Sequence, residues 1–118
     1  MKTYGYPNYN IVSKKSSYNY WILIQHCDNF LNLQKSALIA LEIAVKEGIA
    51  DKSNYAYLKD RVCVNMNEPQ IYGTQVYKNS DNKYVLYPIK DISTVNERRK
   101  ECNINNSIED YLIIMNSF

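Results

Sequence analysis

The sequence predicts an α+β domain of about four or five helices with one β-hairpin laid against them. Three observations carry this expectation. An apolar repeat at helical spacing runs between residues 29 and 47, further segments with helix-start signals follow it, and two β-leaning runs flank Asn79-Ser80-Asp81-Asn82. At 118 residues there is room for one domain, 1–118, and no internal repeat or domain boundary is visible.

Taking the elements in order, residues 1–17 are rich in Tyr, Asn and Ser and read as an irregular lead-in. Tyr4-Gly5-Tyr6-Pro7 marks a turn within it. Ser17 is a fair N-cap for the apolar run Tyr18 to Cys27, whose shortness leaves strand open, with helix favoured. Asp28 is read as the cap of a helix over roughly Asn29 to Glu47, with Leu31, Leu38, Leu41 and Val45 in one stripe. Ile39 and Ile43 add a second apolar face, which predicts a central helix packed on two sides, and Gly48 supplies a left-handed C-cap. Asp51 or Ser53 opens the next helix, with Tyr55, Leu58, Val62 and Met66 on a face and Asn67-Glu68-Pro69 as its stop. Gln70 to Lys78 and Lys83 to Ile89 form the hairpin, and Pro88 confines the second strand to an edge or an end. Ser93 is read as the cap of a short charged helix. Ser107, with Asp110 three residues on, resembles a capping box before a final helix striped by Ile108, Leu112 and Met115.

Composition then narrows the function classes. Apolar residues make up 46% and charged residues 22%, as in globular chains rather than disordered ones. The net charge is only +2, with both signs interspersed, so no strong field draws the chain onto nucleic acid or a membrane surface. The longest apolar stretch, Ala37 to Val45, is broken by Glu42 and falls far short of the about 20 residues that cross a bilayer. Met1 to Asn10 has no hydrophobic stretch of the kind a secretion signal needs, so a cytoplasmic protein is expected. One histidine and three scattered cysteines, Cys27, Cys63 and Cys102, cannot frame a metal site, and neither metal nor cofactor is expected. The cysteines read as reduced thiols used in packing. Asn, Ile, Tyr and Lys supply 51 of the 118 residues, and all four use A/T-rich codons. Against that drift the three arginines, Arg61, Arg98 and Arg99, stand out.

Four clusters could carry chemistry. In Gln25-His26-Cys27-Asp28, His26 lies at the polar end of an apolar segment, where its imidazole could exchange a proton with a ligand. A lone histidine there is more often a satisfied structural residue. In Asp60-Arg61, neighbouring helical residues point about 100° apart and need not pair. Arg61 beside Val62 lies near the core edge and needs a carboxylate or a bound anion. In Pro69-Gln70-Ile71-Tyr72-Gly73-Thr74-Gln75, Gly73 signals a bulge or a close approach, and Tyr72, Thr74 and Gln75 offer groups suited to a small polar ligand. In Asn96-Glu97-Arg98-Arg99-Lys100, two adjacent guanidinium forks suggest a carboxylate or phosphate.

Taken together, the stretches Trp21 to Asp28, Asp60-Arg61-Val62, Pro69 to Gln75 and Asn96 to Arg99 resemble an uncharacterised bacterial domain family. It carries a tryptophan-to-histidine-aspartate motif and a Tyr-Gly-Thr-Gln motif. Tyr4-Gly5-Tyr6-Pro7 is similar to that family's Gly-Trp-Pro turn, with tyrosine in place of tryptophan. The resemblance implies which residues belong together and assigns them no activity. It also implies an N-terminally shortened member, because the family's additional helices before that turn have no counterpart here.

The leading expectation is a non-enzymatic binder of a small anionic, nucleotide-like ligand held by His26, Arg61, Tyr72, Thr74, Gln75, Arg98 and Arg99, with tyrosines stacking on a base. A phage or mobile-element protein that sequesters a host signalling nucleotide, an anti-defence role, fits the size and composition. The alternative is a hydrolase or transferase on a phosphorylated or nucleotide substrate, with His26 as acid or base and Arg61 and Arg98 steadying negative charge. No phosphate loop, nucleophile elbow or carboxylate pair supports that reading. A protein-interaction module, an inhibitor or immunity protein with tyrosine anchors, is a third reading, and single-stranded nucleic acid is a weaker fourth. A homo-oligomer would cover a face opened by the shortening.

Overall fold

The computed structural model describes residues 14–117. The Tyr4–Pro7 turn lies outside them. The order is α1 (Lys14–Gln25), α2 (Leu31–Lys46), α3 (Lys52–Asn65), β1 (Val76–Lys78), β2 (Tyr84–Leu86), a 3-10 turn (Ile92–Thr94), α4 (Val95–Glu101) and α5 (Ile108–Met115). Among the described residues, five helices and one antiparallel hairpin make an α+β fold. No helix among the described residues is long and apolar enough to cross a membrane.

The first three helices share a core of Ile24, Ala37, Leu41, Leu58 and Val62, with Trp21, Leu38, Val45 and Tyr55 packed around it. A smaller cluster of Ala56, Cys102 and Ile104, flanked by Tyr57 and Tyr72, joins the other side of α3 to the C-terminal half. The central helix is therefore α3, not α2. Ile39 and Ile43 on α2 are 63% and 54% exposed, which corrects the expectation of a helix covered on both faces.

Several ends follow the sequence. After α2, Ile49 N–H donates to the Ala44 carbonyl and Gly48 N–H to that of Val45, while Gly48 takes φ +74°. This is a Schellman cap. Ser107 Oγ accepts from Asp110 N–H at 3.1 Å and starts α5. Other ends depart from it. Helix α1 already includes Lys14, so Ser17 lies within it and is not its cap. Phe30 stands at the N-cap of α2 and Thr94 at that of α4, so neither Asp28 nor Ser93 is a cap. The strands keep only three residues each, in the register Val76–Leu86, Tyr77–Val85 and Lys78–Tyr84. Residues 70–75, read as strand, form a loop: Gln70 makes a single parallel bridge to Ile89, and side chains satisfy most of the backbone between Ile71 and Gln75.

Candidate functional site

The loop of residues 70–75 organises the polar interior. Buried backbone groups must find partners; Gln70 finds them in the main chain of Pro88 and Lys90, and from Ile71 to Gln75 most come from side chains. Asp60, fully buried on α3, accepts from the N–H groups of Ile71 (2.8 Å), Tyr72 (2.9 Å) and Thr74 (3.0 Å) and from Thr74 Oγ1 (2.7 Å). Gln70, also fully buried, folds its amide across the loop. Its Nε2 donates to the carbonyls of Gln75 and Tyr87, both at 3.0 Å, and its Oε1 accepts from Gln75 N–H at 2.9 Å.

The carbonyls are held from the opposite side. Arg98 Nε donates to Ile71 O at 2.8 Å, and its remaining nitrogens reach Lys90 O, Asp91 O and Thr94 Oγ1. Arg99, 1% exposed, donates through Nη1 to Tyr72 O and Gly73 O, both at 3.0 Å, and through Nε and Nη2 to the carbonyl and side-chain oxygens of Asn106. Tyr111 hydroxyl donates to Thr74 O at 2.8 Å. Gly73 takes φ +66°, and a Cβ there would come within 2.7 Å of Ile108 Cγ2. Backbone conformation and close approach both call for glycine at this point.

Burial pushes the Asp60 carboxyl above its usual range, its four donors pull it back, and the net direction is upward. The same burial draws the Arg99 guanidinium down. Carboxylate and guanidinium grip opposite sides of one loop without forming an ion pair with each other.

A second network ties the start of α2 to this loop. Arg61 forks onto Asp28, Nε to Oδ1 at 2.9 Å and Nη2 to Oδ2 at 2.6 Å, and donates to Gln75 Oε1 at 3.1 Å. Gln75 Nε2 donates to Thr74 Oγ1 at 2.9 Å, so a continuous chain of hydrogen bonds runs from Asp28 to Asp60. Asn65 Nδ2 bridges Asp28 Oδ1 and Gln34 Oε1, while Gln34 Nε2 donates to the carbonyls of Ile24 and Gln25 in the last turn of α1. Hydrogen bonding from Arg61 leads the causes that lower the Asp28 pKa from 3.8 to about 2.

The structure thus brings Arg61, Thr74, Gln75, Arg98 and Arg99 onto one loop, as partners of the protein itself. The Arg61 fork takes the Asp28 carboxylate, and those of Arg98 and Arg99 take carbonyl and side-chain oxygens instead of the anion suggested by their pairing. His26 stands apart. It is exposed, and its side chain makes no hydrogen bond among the described residues, whereas Gln25 beside it is buried and donates to Tyr57 O at 3.0 Å. Of the expected residues, Tyr72 lines a cleft on the other side of α3.

That cleft, of about 410 Å³, lies between α2, α3 and the end of α4. Tyr55 and Tyr72 meet edge-to-face within it, ring centroids 6.4 Å apart. Val45 and Cys102 add to the lining, together with two ammonium groups, Lys46 and Lys52, and two carboxylates, Glu42 and Glu101. Burial raises both the Tyr72 hydroxyl and the Cys102 thiol, so both are protonated at neutral pH. A smaller cleft of about 290 Å³ opens between the end of α3 and the segment after β2.

The spacing did not single out Asp60 as a hub, the buried amides of Gln25, Gln34 and Gln70, or the cleft residues Tyr55, Lys46 and Lys52. A signal exists for Gln34: it interrupts the Leu31–Leu38–Leu41 stripe at a core position, where an amide must have partners.

Fold and site together define a small α+β protein in which a polar loop is clamped between a buried carboxylate and a buried guanidinium. The chain belongs to the family of unknown function DUF6624, whose model matches residues 1–117. No curated protein and no solved structure matches it.

Proposed function

We propose that the protein binds a small anionic, nucleotide-like ligand, without catalysis, in the cleft of about 410 Å³. The observation that carries this reading is the pairing of a two-tyrosine lining with two lysines on the same cleft. Tyr72 is held by its clamped backbone and by Tyr55, so a flat ring meets a surface that is already ordered, which lowers the entropic cost of binding. Lys46 and Lys52 supply the charge for a phosphate, and Glu42 and Glu101 can accept from sugar hydroxyls or an exocyclic amine. Lys52 makes no ion pair among the described residues, and Lys46 has only the exposed one with Glu42 at 3.5 Å. Both are open to an anion.

The phosphate role thus passes from the arginines to the lysines. Sequestration of a host signalling nucleotide by a phage or mobile element is the use that the chain's composition fits. Native mass spectrometry before and after denaturation, followed by titration with nucleoside monophosphates, tests the reading. The expected result is a nucleotide recovered chemically unchanged, bound about tenfold more weakly by a Lys46→Glu, Lys52→Glu variant. Release of an altered product, or equal affinity in the variant, overturns it.

A further inference from the structure

The smaller cleft has different chemistry. It is lined by Val64, Asn67, Glu68, Pro69, Tyr87 and Pro88. We infer that it is a second, independent site, which takes a primary alkylammonium group of the kind carried by a lysine side chain.

Three features converge on that ligand. Glu68 is the one charged group among those residues, and it forms no ion pair among the described residues. Apart from the Asn67 amide, the other walls are an aromatic ring, two prolines and a valine, suited to an aliphatic stem. The ring of Tyr87 rests against Tyr77 at 4.8 Å between centroids, and a ring face attracts an ammonium through its quadrupole. Arg61 acts electrostatically on Tyr87, but its fork is engaged by the Asp28 carboxylate. At about 290 Å³ the volume suits one extended side chain more than a nucleotide, and its sign of charge excludes a phosphate.

The cleft is also preformed. Gln70 N–H donates to Pro88 O at 2.9 Å and Gln70 Nε2 to Tyr87 O, which ties one wall to the other. Glu68 N–H donates to Cys63 O at 2.8 Å, and Asn67 takes the left-handed φ of +58°, so the turn carrying the carboxylate is fixed by the end of α3. An alkyl stem laid along Val64, Pro69 and Pro88 would bring its ammonium to Glu68.

Chemical-shift titration at low salt tests this with n-butylammonium, N-acetyl-lysine methylamide and the neutral comparator 1-butanol. The two ammonium probes are expected to shift the amides of Val64, Asn67 and Glu68 and to bind about tenfold more tightly than the alcohol. Glu68→Gln, at an exposed position, should leave the fold intact and remove that preference. Equal binding of butanol and butylammonium, an unchanged preference in the Glu68→Gln variant, or shifts confined to other residues would each overturn the assignment. Nucleotide binding in the larger cleft should be unaffected by the Glu68 change, so the two sites fail separately.

Discussion

At the scale of single residues, pairing decides which charges remain available. Arg61 lies at the core edge and takes a carboxylate, but from Asp28, whose sequence context suggested a helix cap. The consequence is a pH dependence with a definite sign. The Asp28 pKa in the folded protein, about 2, lies below the ordinary 3.8, so the folded state favours the ionised form. The resulting stability is present above pH 3.8 and is lost as pH falls from there towards 2. Because the Asp28 side chain is 41% exposed, solvent screening holds the effect to about 1 kcal/mol. Asp28→Asn should therefore destabilise the protein by about that amount at neutral pH and flatten the acid limb of a urea-midpoint-against-pH curve. An unchanged acid limb would show that the pair contributes nothing.

At the scale of elements, apolar content and position in the fold separate. Helix α2 is the more apolar helix and was expected at the centre, yet α3, with Asp60, Arg61 and Asn65 along it, occupies that place. Its polar residues are tolerated because each has a defined partner, the loop for Asp60, Asp28 and Gln75 for Arg61, and Asp28 and Gln34 for Asn65. Periodicity reports apolar faces, so it located α2, α3 and α5 well. It is silent on buried side-chain amides and on long-range hydrogen bonds, so loop 70–75 read as strand. Of the candidate site, the importance of Pro69 to Gln75 and of the arginines was legible from their residue types. Their inward direction was not, because a fork suited to a phosphate suits two carbonyls equally well. The open face of α2 gives an expected outcome: Ile39→Lys with Ile43→Lys should change unfolding free energy by no more than about 0.5 kcal/mol in chemical denaturation. A loss of several kcal/mol would restore the two-sided packing that the sequence suggested.

At the scale of the whole molecule, the loop joins two halves that otherwise share little apolar contact. The main core belongs to α1, α2 and α3, and the hairpin, α4 and α5 meet α3 largely through Asp60, Arg99, Tyr111 and the small cluster around Ala56. Cooperativity between the halves must then pass through polar groups, each costly to leave unpaired once buried. If so, opening loop 70–75 locally would strand Asp60 and Arg99 together, and its amides should exchange with solvent only through global unfolding. Hydrogen exchange should find Ile71, Tyr72 and Thr74 as protected as Leu58 and Val62 in α3, although they lie in a loop, while the turn at Asn79 to Asn82 exchanges fast. Asp60→Asn replaces one acceptor with a donor that faces other donors. It should lower the protection of those three amides by about a hundredfold relative to the wild type, with a destabilisation of about 3 kcal/mol. Fast exchange at Ile71, Tyr72 and Thr74 in the unmodified protein would mean that the halves are coupled by their modest apolar contact alone.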